Sequence, residues 1–136
     1  SVFEKVKFRD LLPALNDSEK ERLALGLKEF LHGGQKLGFE LMAGLLEEYH
    51  LAKWPIITVC PYYYSPDVEV LIKPTTVKGS IEYFELEGLK YSPRPNYEFY
   101  KGYRDQINNM KKALGVSPHS DNGAFCGFLM MSLEGK

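Results

Sequence analysis

A chain of 136 residues that is 44% hydrophobic and 13% aromatic holds enough apolar material for one domain with its own core, so neither a disulfide framework nor a structural metal is required. Its formal charge of -1 and isoelectric point near 6.3 exclude a global field that would draw in nucleic acid or an anionic membrane. No apolar run approaches the roughly 18 residues of a membrane span, and Cys60 and Cys126 lie in apolar runs, which reads as a cytoplasmic protein with reduced thiols.

Residues 1–16 carry mixed charges and a small apolar cluster, Leu11, Leu12 and Leu15, interrupted by Pro13. They read as an irregular arm or a short turn of helix. The opening Ser1, in place of Met, is consistent with a piece cut from a longer chain. Ser18 followed three residues later by Glu21 has the spacing of a capping box, which predicts a helix start there. Leu23, Leu27, Phe30 and Leu31 then form one stripe, and Gly33-Gly34 closes the helix. A second helix is predicted from Lys36 to Tyr49 on Leu37, Leu41, Leu45 and Tyr49, widened by Met42 and Leu46. The two should pair as a helical hairpin, with Gly38 and Gly44 permitting close contact.

The stretch from Trp54 to Pro74 is the densest β-branched and aromatic run in the chain. It predicts two strands, Ile56–Cys60 and Val68–Lys73, the second alternating Val68, Val70 and Ile72 against Glu69, Leu71 and Lys73. Ser65-Pro66-Asp67 supplies the turn, and Pro55, Pro61 and Pro74 bound the strands. From Thr75 a helix with Val77, Ile81 and Phe84 on one face is preferred over a strand, stopped at Gly88, with Leu89–Tyr91 as a short return strand. Asn96 caps the clearest helix, which runs to Leu114 with Tyr100, Tyr103, Ile107, Met110 and Leu114 on its apolar stripe and Lys111-Lys112 in the last turn. Gly115 ends it. After a loop at 117–122, the nearly continuous apolar run 124–133 is core, and its lack of period leaves strand and helix open. The sum is a single α+β domain over 1–136: an N-terminal helical hairpin packed on a small, mainly antiparallel sheet, with a long helix near the C-terminal end.

Three constellations contain residue types that can carry chemistry. Asp67 with a later Glu-x-Lys triplet would resemble a metal-dependent nuclease centre, but downstream only Glu87-Gly88-Leu89-Lys90 occurs, one residue too long to share a strand face. His119, Asp121 and Cys126 contain the groups of a thiol nucleophile, base and orienter, yet Cys126 sits between Phe125 and Phe128, a setting that suppresses a thiolate. His32, His50, His119 and the cysteines have no metal-ligand spacing, and Gly33-Gly34 and Gly79-Ser80 are not phosphate loops. No catalytic residue, metal site or cofactor is therefore assigned.

What remains concentrated is the basic and aromatic middle, residues 51–115, with nine Lys or Arg against seven Asp or Glu. Tyr62, Tyr63, Tyr64, Tyr91, Arg94, Tyr97, Lys101 and Arg104 are the candidate partner-binding residues. Tyrosine and arginine are enriched where protein surfaces meet. The expectation is a non-enzymatic binding or assembly module that meets a protein partner or itself and does not engage a membrane. The alternatives are a nucleic-acid-binding domain using aromatic platforms beside Lys and Arg in the 51–115 segment, and a hydrolase with an unrecognised site.

Overall fold

A computed structural model describes residues 2–134 of the chain, and among them every regular element is a helix. In order these are α1 Val2–Ala14, α2 Asp17–His32, α3 Gln35–Glu48, α4 Trp54–Tyr64, α5 Pro74–Tyr83, α6 Tyr97–Ala113 and α7 Asn122–Glu134. The expected α+β architecture and its antiparallel sheet are therefore corrected to an all-helical fold. None of these helices is long and apolar enough to cross a membrane.

The N-terminal half follows its sequence signals with shifts of detail. Val2–Ala14 is a helix, not an irregular arm, and Leu11 and Leu15 enter the core. The capping box at the head of α2 is Asn16 with Glu19, two residues earlier than Ser18 with Glu21. The Glu19 amide donates to Asn16 Oδ1 at 2.8 Å and the Asn16 amide to Glu19 Oε1 at 3.0 Å. Asparagine caps as well as serine, so the same spacing occurs twice and the earlier box governs. Helices α2 and α3 make the most extensive helix contact among the described residues. A side chain at Gly38 would collide with the backbone of Phe30, which fixes how closely the two cross.

The first predicted strand, Ile56–Cys60, is the centre of α4. Pro55 lies in the first turn, where a missing amide costs nothing and the fixed φ favours helix. Weak helix propensity of Ile, Thr and Val is overridden because Trp54, Ile57 and Thr58 are buried. A helix that is apolar all round belongs inside a core, and α4 touches α1, α2 and α3.

The second predicted strand, 68–73, is an unpaired segment running through the interior from α4 to α5. Val70 and Ile72 are buried as the alternation requires, but Val68 is exposed and Glu69 is buried. Side chains take the place of a neighbouring strand. The Ile72 amide donates to Thr58 Oγ1 at 3.0 Å, and the carbonyls of Asp67, Val68 and Glu69 accept from Lys111, Asn108 and Asn122 at 3.0, 2.9 and 3.1 Å. Burial of an irregular segment requires such partners for each main-chain polar group.

The helical reading of 74–84 holds, with Val77 buried and Ile81 and Phe84 packed on the core. Leu89–Tyr91 has no strand pairing, and 124–133 lies within α7. The cap of α6 is Asn96, whose Oδ1 accepts from the Phe99 amide at 2.9 Å. Its buried face runs Phe99, Tyr100, Tyr103, Ile107 and Lys111, while Leu114, expected on that stripe, is exposed. One core joins Leu11 of α1, Phe30, Phe39, Trp54, Tyr100 and Leu129 of α7.

Candidate functional site

Two polar clusters sit beneath the 65–73 segment. In the first, Glu69 Oε2 accepts from the Tyr100 hydroxyl at 2.7 Å and from Gln35 Nε2 at 3.1 Å, while Oε1 accepts from the Arg104 guanidinium at 3.0 Å. Gln35 Oε1 in turn accepts from the Tyr97 hydroxyl at 2.9 Å and from Arg104. Burial works against the Arg104 charge, but Glu69, Tyr100 and Asp105 outweigh it and hold the guanidinium pKa above its ordinary value. Burial, then the Glu69 charge, drives the Tyr100 pKa strongly upward. The side-chain oxygens of Glu69, Gln35, Tyr97 and Tyr100 are all bonded within the chain, so the cluster ties α3, the buried segment and α6 together.

The second cluster surrounds Lys111, 2% exposed. Its ammonium donates to the Ser120 carbonyl at 2.7 Å, Asn122 Oδ1 at 2.8 Å, the Asp67 carbonyl at 3.0 Å and the Pro118 carbonyl at 3.4 Å. Neutral oxygens thus replace bulk water around the charge, with no carboxylate among them. An open groove of about 610 Å³ lies alongside, lined by Val68, Asn108, Lys112, Val116 and Pro118 among others.

The eight candidate residues differ in what holds them. Tyr97 and Arg104 meet at Gln35 inside the first cluster. Tyr91 is half-buried edge-on to Phe99, with the Lys78 ammonium 5.0 Å from its ring, and burial raises its pKa. Arg94 pairs with Glu47 at 2.7 Å and Lys101 with Asp105 at 2.8 Å. Tyr62 donates to Asp121 Oδ1 at 2.6 Å, and that bond, followed by burial, pushes its pKa up to about 12. Tyr63 and Tyr64 are left in solvent, 76% and 57% exposed, with Tyr64 edge-on to the His32 ring.

The residues of the other constellations have separate partners. Asp121 caps α7 by accepting from the Ala124 amide, His119 is exposed beside Asp67, and Cys126 is buried with its thiol pushed up to about 11, chiefly by that burial. Among the described residues no group of three or more His, Cys, Asp or Glu side chains is placed to hold a metal ion.

Sequence reasoning missed Glu69, Gln35, Lys111, Asn108 and Asn122. One signal was available: Lys111 continues the i, i+3, i+4 register of Tyr100, Tyr103 and Ile107, which puts a cation on a core face. The chain matches no known protein family, no curated protein and no solved structure.

Proposed function

We propose that this domain is a non-enzymatic binding or assembly module of the cytoplasm whose protein-contacting surface is the aromatic tip of α4, Tyr63 and Tyr64. The observation that carries this reading is the 76% exposure of Tyr63 beside a 57% exposed Tyr64, while the remaining candidate tyrosines are held by partners inside the chain. Tyrosine brings a large contact area at low conformational cost. The tip is also held in place before any partner arrives, by the Tyr62 bond to Asp121 and the His32 ring against Tyr64, which lowers the ordering cost of binding. Cys60 and Cys126 are both unpaired, which suits a reducing compartment.

A protein partner is favoured over nucleic acid because the three cationic candidates, Arg94, Lys101 and Arg104, each already face a carboxylate, so none of the three offers an unpaired charge to a phosphate backbone. Photo-crosslinking tests the assignment: a benzophenone amino acid at position 63 or 64, in cells that make the protein, should yield adducts that the same group at exposed position 20 does not. Equal labelling at position 20 overturns the α4 tip as the contact surface.

A further inference from the structure

The bonds that hold the four oxygens around Lys111 in place do not involve Lys111. The Asn122 main-chain amide donates to the Pro66 carbonyl at 2.7 Å, and its side-chain Nδ2 donates to the Glu69 carbonyl at 3.1 Å and to Asn108 Oδ1 at 3.2 Å. These bonds fix the carboxamide with Oδ1 on the ammonium. The Ser120 amide donates to the Ser117 carbonyl at 3.0 Å and the His119 amide to Ser117 Oγ at 3.2 Å, which shapes the loop that brings the Pro118 and Ser120 carbonyls to the same point. The Asp67 carbonyl belongs to the turn after α4, closed by the Val68 and Glu69 amides donating to the Ser65 carbonyl at 3.1 and 2.8 Å. The oxygen set is therefore built by its own surroundings.

We infer that these four oxygens form a site for a large monovalent cation, potassium or ammonium, which the chain fills with its own Lys111 side chain. Three are main-chain carbonyls and one is a carboxamide oxygen, the neutral donors that replace the hydration shell of potassium in protein sites. Calcium takes six to eight oxygens at about 2.3 to 2.6 Å, carboxylates among them. Four uncharged oxygens at 2.7 to 3.4 Å suit a larger ion of single charge instead. An ammonium has three protons to give, so four oxygens around it mark a charge being solvated more than a set of directed bonds. Lys111 also lines the open groove of about 610 Å³, so an ion can reach the oxygens from solvent once the side chain is cut short.

The wild-type chain thus carries its cation covalently, and the junction of the 65–67 turn, the 117–120 loop and α7 holds whatever salt surrounds it. A small side chain at position 111 converts the same junction into one that depends on potassium or ammonium. The α4 tip takes no part in this site.

Circular dichroism melts of Lys111→Ala at fixed ionic strength, in potassium, ammonium, sodium and tetramethylammonium chloride, test the inference, with wild type in the same salts as reference. Potassium or ammonium should raise the midpoint of Lys111→Ala saturably, on the order of 5 °C above tetramethylammonium at about ten times the dissociation constant, and sodium should do less. Lys111→Met, whose side chain fills the site with apolar atoms, should follow wild type across the four salts. Where Lys111→Ala does not fold in tetramethylammonium, potassium or ammonium should restore its helical spectrum. A Lys111→Ala variant with no ion dependence beyond that of wild type, no recovery of helix in either ion, or the same dependence in Lys111→Met overturns the inference.

Discussion

The Ile72 amide donates to the Thr58 hydroxyl at 3.0 Å, and that hydroxyl donates in turn to the Trp54 carbonyl at 2.7 Å. One threonine thus satisfies the Ile72 amide of the 65–73 segment, where a sheet would have used a neighbouring strand. Thr58→Val keeps the shape and leaves the amide unpaired in the core, a loss of about 1 to 3 kcal/mol. Urea unfolding should show the lowered midpoint, with Thr58→Ser close to wild type. A valine variant as stable as wild type would remove this role for the hydroxyl.

That pair also shows why the architecture was only partly legible. Helices α2, α3 and α6 are bounded by caps and glycines and carry apolar stripes, so their sequences announce them. The runs 56–60 and 124–133 are apolar at nearly every position, so neither shows the period that would identify a helix, although α7 leaves Phe128 and Met131 exposed. The β-branched residues of 56–60 then argue for strand, and only the position of Pro55 in a first turn speaks for helix. At 68–73 the alternation is real for Val70 and Ile72. Glu69 departs from it because Tyr100, Gln35 and Arg104, drawn from two other helices, make burial of its carboxylate possible. Long-range hydrogen bonding of that kind leaves no local mark, which is also why Tyr97 and Arg104 read as surface.

The Lys111 ammonium is a second such centre. Lys111→Met keeps length and burial but strips a donor from the carbonyls of Asp67, Pro118 and Ser120 and from Asn122 Oδ1, with an expected cost of about 2 to 4 kcal/mol. Denaturant titration checks this. A change within about 0.5 kcal/mol, the range of ordinary surface substitutions, would contradict it.

Glu69 and Arg104 form the most buried ion pair among the described residues, with side chains 8% and 13% exposed. Removing either partner leaves an uncompensated charge, so Glu69→Leu and Arg104→Met should each cost about 3 to 5 kcal/mol. The double variant should lose clearly less than the two added together, because no charge is then stranded. Additive losses in the double-mutant cycle would show that the pair is not coupled.

Two glycines should respond with opposite signs. Gly38→Ala forces α2 and α3 apart at the Phe30 backbone and should destabilise by about 1 to 3 kcal/mol. Gly127→Ala meets open space and should stabilise by about 0.5 to 1 kcal/mol. Thermal melts of both variants read the contrast directly, and a tolerated Gly38→Ala would mean that the helix crossing is looser than its geometry.

Alkaline stability follows from the tyrosines and the buried thiol. Burial raises Tyr100 and Tyr103 and pushes the Cys126 thiol up to about 11, while the Asp121 hydrogen bond, then burial, lifts Tyr62 to about 12. Each folded-state value stands above the unfolded one, about 10 for tyrosine and 8.5 for cysteine. The unfolded chain therefore releases these protons first as pH rises, and binds fewer of them than the folded chain. Their contribution is intact below about pH 8.5 and is lost as pH climbs through the folded values, so unfolding should be cooperative between about pH 10 and 12. Asp121 acts at the other end: the Tyr62 bond is the main cause that lowers its carboxyl pKa, so its contribution is present above about pH 4 and lost as pH falls through the folded value. Tyr62→Phe should reduce both effects. Near-ultraviolet tyrosinate absorbance followed with circular dichroism provides the measurement. Ionisation of all nine tyrosines before any loss of helix would show that Tyr62, Tyr100 and Tyr103 are not protected by the fold.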